Sequence, residues 1–336
     1  MSFLIQQTII YAVPLMLVAL AGVFAERSGI VNLALEGIMI FGAFTGVLFI
    51  NIMQTSSTFT KETAFPLLIL TMIFSALCGA VFSLLLSFAA VNLKSNQTVS
   101  GTALNMLAPA LVLFLTNIIS NQNVLTMASG DASDWFMIRK RALGFDVRTD
   151  YGFFLETFFF KTYPASYICI LIFILLSVIL YKTRFGLSLR ACGENPHAAD
   201  SLGINVRKMR YLGTTISGAL AGTGGFVFAL TTANASSTGE VAGFGFLALA
   251  VMIFGNWNPL SIAGASVLFG VSKCIAAAYS TIDINGDGRY LLAEIGISTN
   301  IYRMLPYIIT LIVLAFTSKK SRAPKAEGVP YDKSSR

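Results

Sequence analysis

Long apolar runs, broken by short polar stretches, dominate the chain from its first residues to about residue 317. A helix needs about 20 such residues, at 1.5 Å rise each, to cross a hydrocarbon core of roughly 30 Å. At that length the pattern predicts nine spans: Thr8–Ala25, Ile30–Ile50, Pro66–Val91, Val99–Ile119, Tyr163–Tyr181, Tyr211–Thr231, Val241–Phe254, Pro259–Tyr279 and Ile301–Thr317. The seventh is short and fits a re-entrant half-helix as well as a crossing. Small residues four apart, Gly42 with Gly46 and Gly218 with Gly222, suit backbones that approach closely in lipid. The first run imitates a signal peptide at Val23-Phe24-Ala25. It reads as a span, because no Lys or Arg precedes Arg27 and a second apolar run follows after a short gap.

Charge sets the direction. Between Tyr181 and Tyr211 lie Lys182, Arg184, Arg190, Arg207, Lys208 and Arg210 against only Glu194 and Asp200, and the tail carries Lys319, Lys320, Arg322 and Lys325. Both segments are expected on the cytoplasmic side. Two cytoplasmic ends need an even number of crossings between them, so the seventh segment must cross. The expected fold is an all-α polytopic transmembrane helix bundle of nine spans, N-terminus outside and C-terminus cytoplasmic, in the inner membrane. Residues 1–320 form its membrane domain and 321–336 a cytoplasmic basic tail. The loop over 120–162 then lies outside and mixes Trp135, Phe136, Phe153 and Phe158 to Phe160 with charges, which suits the membrane surface.

Composition narrows the chemistry. The 336 residues are 55% apolar and 12% charged, with a mean hydropathy of +0.74, whereas soluble domains carry about 25% charged residues. A net charge of +7 follows from basic cytoplasmic loops, and no nucleic acid is implied as a partner; membrane lipid is. Cys78, Cys169, Cys192 and Cys274 suggest no disulfide framework. The chain has no Gly-Lys dipeptide, hence no phosphate-cradling G-x-x-x-x-G-K-[ST] loop, and His197 is its only histidine. Hydrolytic triads and zinc sites lack their parts, so an enzyme is not expected.

One polar segment is organised. Asn195 suits a helix N-cap, Pro196 the first helical position and Gly203 the left-handed residue after the last turn. Ala198, Ala199 and Leu202 give the short helix a small apolar face, which serves either a partner's groove or a solvated connector. Ionisable groups inside spans cost roughly 2.5 to 3.5 kcal/mol, so each raises a functional question. Glu26 and Arg27, at the inner end of span one, pair with each other or gate. Glu36 falls about 9 Å into span two, with Asn32 one turn below on the same face; it lines a translocation path or makes a buried hydrogen bond. Asn105 can donate and accept hydrogen bonds, either to a solute or to glue helices together. Lys273 snorkels outward or lines a path. Asp283, Asn285, Asp287, Arg289 and Glu294 fit the twelve-residue calcium-loop spacing, although Leu291 at the ninth position offers no oxygen.

The stretch Thr183-Arg184-Phe185-Gly186-Leu187-Ser188-Leu189-Arg190-Ala191-Cys192-Gly193-Glu194-Asn195-Pro196, then Leu202-Gly203-Ile204-Asn205-Val206, resembles the cytoplasmic coupling loop of ABC-importer permeases of the ribose, nucleoside and branched-chain amino acid superfamily. Glu26 to Gly37, Ser100 to Ala108 and Phe254 to Leu260 are similar to its nucleoside, or simple-sugar, branch. The resemblance implies a permease working by alternating access, paired with a second, homologous permease subunit. It further implies two cytosolic ATP-binding subunits and an extracytoplasmic substrate-binding lipoprotein. Gly193, Glu194, Asn195, Pro196, Ala198, Ala199, Leu202 and Gly203 would couple to the ATPases, and no cofactor would reside in this chain apart from the candidate calcium. Purine nucleosides are the expected solute, with ribose-like sugars or branched-chain amino acids as alternatives. An ion-coupled secondary transporter would instead need deep carboxylates, of which Glu36 is the only one, and a lipid-handling enzyme would need an acid/base or metal cluster.

Overall fold

The structure, a computed structural model, describes residues 2–140, 146, 152–279, 298–317 and 322–332. All nine apolar segments are helical. The first four form α1 (Ser2–Arg27), α2 (Leu35–Thr55), α3 (Ala64–Val91) and α4 (Gln97–Ser120). Two short helices, α5 (Ala132–Phe136) and α6 (Phe153–Phe158), precede α7 (Pro164–Lys182), and the polar stretch folds as α8 (Arg184–Glu194) and α9 (Pro196–Ser201). The remaining apolar segments are α10 (Val206–Thr232), α11 (Phe244–Phe254), α12 (Pro259–Ala278) and α13 (Thr299–Thr317). Among the described residues, seven helices are long and apolar enough to cross a membrane: α1, α2, α3, α4, α7, α10 and α12. The chain is an all-α, multi-pass bundle.

Burial sorts the helices. In the most apolar stretch of α10, 78% of residues are buried, against 22% in α4; α10 is therefore the axis and α4 an outer helix. Glycines place α10 there. A Cβ on Gly42 would lie 2.4 Å from the Gly222 Cα, one on Gly79 would lie 2.4 Å from the Gly218 carbonyl, and one on Gly225 would lie 2.0 Å from the Met39 carbonyl. Helices α2, α3 and α10 thus touch backbone to backbone. The buried Ser75 hydroxyl sits 2.8 Å from the carbonyl oxygens of both Gly42 and Gly222, and Ser87 bonds Thr214 across the same α3–α10 seam. With lipid as apolar as any side chain, such close packing and buried hydroxyl bonds hold helices together.

Two segments depart from the expected spans. Span two does not begin at Ile30: residues 28–34 are non-helical, yet Ser28, Ile30, Asn32 and Ala34 are buried. Gly29 adopts a φ of +96° there, a conformation that ends α1 at little cost only for glycine. The seventh segment is a half-helix. Its 11 residues rise about 16 Å, and the chain before it, residues 233–243, is turn and short strand. In that stretch β2 (Ser236–Ser237) pairs with β1 (Leu125–Thr126) at one end of the bundle. At the opposite end Trp257 bonds Glu26 and Asn256 bonds the Arg322 amide. The stretch from β2 through α11 to Trp257 therefore runs the length of the bundle, part extended and part helix.

A bulky residue at a backbone crossing should damage the bundle. Gly222→Val would force a side chain against the Ser75 carbonyl and Gly79, and overpacking of this kind costs about 1 to 3 kcal/mol. Thermal melting in detergent should show a clear fall in midpoint. Gly264→Ala, where a Cβ meets nothing within 4 Å, should leave it unchanged.

Candidate functional site

The start of α2 and the start of α11 meet inside the bundle. Asn105 is eight residues beyond Gln97, about 12 Å along α4, and its Oδ1 accepts the Gly37 N–H at 2.8 Å while its Nδ2 donates to the Leu33 carbonyl at 2.6 Å. The first turn of α2 is thereby pinned well inside the bundle. Further bonds hold the irregular segment that leads to it: the Val31 N–H donates to Gln97 Oε1 at 2.8 Å, and Asn32 accepts the Ala34 N–H at 3.1 Å and donates to Ser217 Oγ at 2.8 Å. Backbone without helical bonds survives at membrane depth only with such partners.

Glu36 closes the arrangement. It projects from the first turn of α2 onto the N-terminus of α11, where Oε1 accepts the Gly243 N–H at 3.0 Å and Oε2 accepts those of Gly245 at 2.6 Å and Phe246 at 3.3 Å. A helix N-terminus carries exposed N–H donors and about half a positive charge, so a carboxylate is its natural partner. Contact is tight enough that a Cβ on Gly245 would lie 2.4 Å from the Glu36 Cα. On the other side, the Lys273 ammonium lies 4.9 Å from the Phe244 ring centroid, 5.9 Å from that of Tyr307, and 3.5 Å from the Ala242 carbonyl. Lys273 and Glu36 thus hold adjacent residues of the turn before α11, the Ala242 carbonyl and the Gly243 N–H.

Of the four sequence-selected path candidates, the structure brings Glu36 and Lys273 together. Asn105 spends its amide on the Leu33–Gly37 backbone, and Asn32 is wholly buried within the segment it braces. Asn32 is not one helical turn below Glu36, because the chain between Ser28 and Ala34 is not helix. Tyr307, Phe244 and the Gly243–Gly245 pair were not anticipated; the available signal was a Gly-Phe-Gly triplet opening an apolar run. Glu26 and Arg27 do not pair with each other. Trp257 Nε1 donates to Glu26 Oε2 at 2.5 Å, the Trp257 carbonyl accepts from the Tyr181 hydroxyl, and Arg27 bridges to Glu194 at 3.4 Å.

The short polar helix folds as its capping residues dictate. Asn195 Oδ1 accepts the Ala198 N–H at 3.1 Å, Pro196 occupies the first position and Gly203 has a φ of +84°. Its apolar face is split, however. Ala199 turns inward onto Cys192, Val206 and Tyr331, whereas Ala198 is exposed and Leu202 is 82% exposed. Gly193 is a packing position: a Cβ there would lie 2.4 Å from the Arg27 carbonyl, so α8 rests directly on the end of α1. Burial pushes the Cys192 thiol up to about 11, against the opposing charge of Arg210, which keeps it protonated and unreactive. Residues 283–294, the candidate calcium loop, lie outside the described residues. Among the described residues, no group of three or more His, Cys, Asp or Glu side chains could hold a metal ion.

Broken helices meeting inside an all-helical, multi-pass bundle are the architecture of a membrane transport subunit. The family described as "Branched-chain amino acid transport system / permease component" matches residues 4–314, and the chain belongs to it. It is an ABC transporter permease subunit, a transport component rather than an enzyme. It is 39% identical over 334 residues to the nucleoside ABC transporter permease protein NupC of Lactococcus lactis subsp. cremoris, covering 99% of this chain and 98% of that one. Against the guanosine ABC transporter permease protein NupQ of Bacillus subtilis, identity is 38% over 337 residues, covering 100% and 98%. A second Bacillus subtilis protein, the guanosine ABC transporter permease protein NupP, is 28% identical over 275 residues, covering 81% of this chain and 73% of that one. No solved structure matches.

The Glu36 bonds set an expectation. Glu36→Ala removes the acceptor for three backbone N–H groups, and hydrogen bonds to charged groups contribute about 1.5 to 3 kcal/mol each. Thermal melting should place Glu36→Ala well below wild type and Glu36→Gln, which keeps one acceptor oxygen, in between. Equal midpoints for all three would show that the carboxylate does not hold α11.

Proposed function

We propose that this chain is one of two permease subunits of an ATP-driven importer of purine nucleosides. The observation that carries the reading is the meeting of two helix N-termini at Glu36, with Lys273, Phe244 and Tyr307 alongside. Transporters bind solute where helices break, because free backbone groups and helix dipoles can then face a cavity. Here a carboxylate, a helix N-terminus and an ammonium balance one another. Such a site suits a neutral polar solute with a flat ring, which can lie against aromatic faces and bond through its hydroxyls. The nucleoside and guanosine permeases that the chain resembles support that solute class. Two guanosine permease proteins named in one organism support a pair of homologous permeases.

In this reading the membrane is the inner membrane, and nine crossings put the N-terminus outside and the C-terminus in the cytoplasm. The seventh crossing is residues 238–257, extended first and helical after. Residues 1–320 are the membrane domain and 321–336 the cytoplasmic tail. Two cytosolic ATPase subunits grip α9, with Leu202 and Ala198 as the docking knob and Gly193, Glu194, Asn195, Pro196, Ala199 and Gly203 shaping and seating the helix. A binding lipoprotein delivers solute to the far side. Closure of the ATPases displaces α9 and opens the central path to each side in turn.

Uptake of radiolabelled guanosine into proteoliposomes holding the complete complex tests this. Uptake should require internal ATP and be competed by adenosine and inosine but not by ribose or leucine. Uptake without ATP, or competition by leucine alone, would overturn the proposal. Leu202→Glu introduces a charge at the docking contact, where truncation of a central apolar anchor costs roughly 2 kcal/mol; uptake should fall more than about tenfold while membrane insertion is retained.

A further inference from the structure

The described part of the chain after α13 is not spent on solvation. Residues 322–332 lie across the end of the bundle that carries α9, bonded to one segment after another. The Arg322 N–H donates to Asn256 Oδ1 at 2.7 Å, the Ala326 N–H to the Gly193 carbonyl at 2.9 Å and the Gly328 N–H to the Gly29 carbonyl at 3.2 Å. The Val329 carbonyl accepts from Arg210 Nη1 at 2.9 Å, and Asp332 pairs with Lys94 at 2.6 Å. Gly328, at φ +74°, supplies the turn that brings the strap onto Gly29.

Three features place this strap between α9 and the interior. Tyr331 is 7% exposed, packs with Cys192, Ala199 and Val206, and lies 5.4 Å from the His197 ring, so the inward face of α9 rests on it. Arg210 is 1% exposed, forms no ion pair among the described residues, and is held by the strap carbonyl two residues from Tyr331. Gly328 is bonded to Gly29, at the start of the irregular segment 28–34 that leads into the first turn of α2 and Glu36. Motion passes through contiguous packed groups of this kind more readily than through solvated loops.

We propose that the strap 322–332 relays displacement of α9 to the irregular 28–34 segment, with Tyr331 as the positioning residue on which α9 bears. The chain of contacts runs from Leu202 and Ala198 through Ala199 to Tyr331, then through Val329 and Gly328 to Arg210 and Gly29. The relay rests on the reading that α9 receives the ATPases, and the experiment separates the two.

Complete complexes with wild-type chain, Tyr331→Phe, Tyr331→Ala and a chain ending at Ala323 are reconstituted in proteoliposomes. Subunit co-purification, guanosine-stimulated ATPase and guanosine uptake are measured on each. Tyr331→Phe should behave as wild type, because the ring is what α9 rests on. Tyr331→Ala and the shortened chain should assemble fully and hydrolyse ATP, with uptake per ATP hydrolysed lower by about tenfold, within the ordinary range of coupling energies. Unchanged uptake per ATP in both, or loss of ATPase subunits from the Tyr331→Ala complex, would overturn the relay; the second result would make the strap a docking surface. If wild type shows no guanosine-dependent uptake, or Leu202→Glu retains it in full, the failure lies with the proposed function and not with the strap.

Discussion

Backbone inside a membrane must find all its hydrogen bonds within the protein, since each unsatisfied amide in hydrocarbon costs several kcal/mol. The most consequential features of this bundle follow from how two non-helical segments meet that demand. Residues 28–34 borrow Gln97 and Asn105 from α4 and brace themselves through Asn32 on Ser217. The segment before α11 ends on the carboxylate of Glu36, which serves three N–H groups at once. Each break is therefore anchored by side chains from a neighbouring helix, and neither can shift without its anchor. Breaks so held are also where a bundle can rearrange cheaply, because exchanging one acceptor for another costs less than unwinding a helix.

The rigid partner to these breaks is the glycine seam among α2, α3 and α10. Backbones that touch at Gly42, Gly79, Gly218, Gly222 and Gly225 leave no room for sliding, and close-packed interfaces transmit displacement rather than absorb it. Helix α2 belongs to both parts, with Met39, Gly42 and Gly46 against α10 in the seam and its first turn at the break. Any rocking of the seam would therefore carry Glu36 with it, and with Glu36 the N-terminus of α11.

What could be read from the sequence was whatever local chemistry determines. Asn195, Pro196 and Gly203 define α9 because capping depends on residues a few positions apart, and the nine apolar segments are all helical because length and hydropathy decide that alone. The start of α2 is not legible in the sequence, because Ile30, Val31, Leu33 and Ala34 look like helix. What stops them is Gly29 at positive φ together with partners on α4 some 70 residues away. Glu36 was visible as a costly deep carboxylate, but its donors are more than 200 residues further on. Ala199 looked like part of an exposed face because the Tyr331 that covers it comes from the far end of the chain. The basic residues of the tail point to a cytoplasmic side and say nothing of the contacts that residues 322–332 make through their backbone and Tyr331.

If the proposed path runs past this break, the balance of charge there limits what can cross. At an effective dielectric of about 20, two unit charges 4 Å apart interact by about 4 kcal/mol. A solute carboxylate approaching α11 would compete with Glu36 for the same N–H groups, and a solute ammonium would meet Lys273. Either charge would have to displace a group the fold itself requires, so its gain on binding would be offset by the loss of an anchor. A neutral solute makes no such demand. On the proposed path it would use the faces of Phe244 and Tyr307 and leave the Glu36 cap intact.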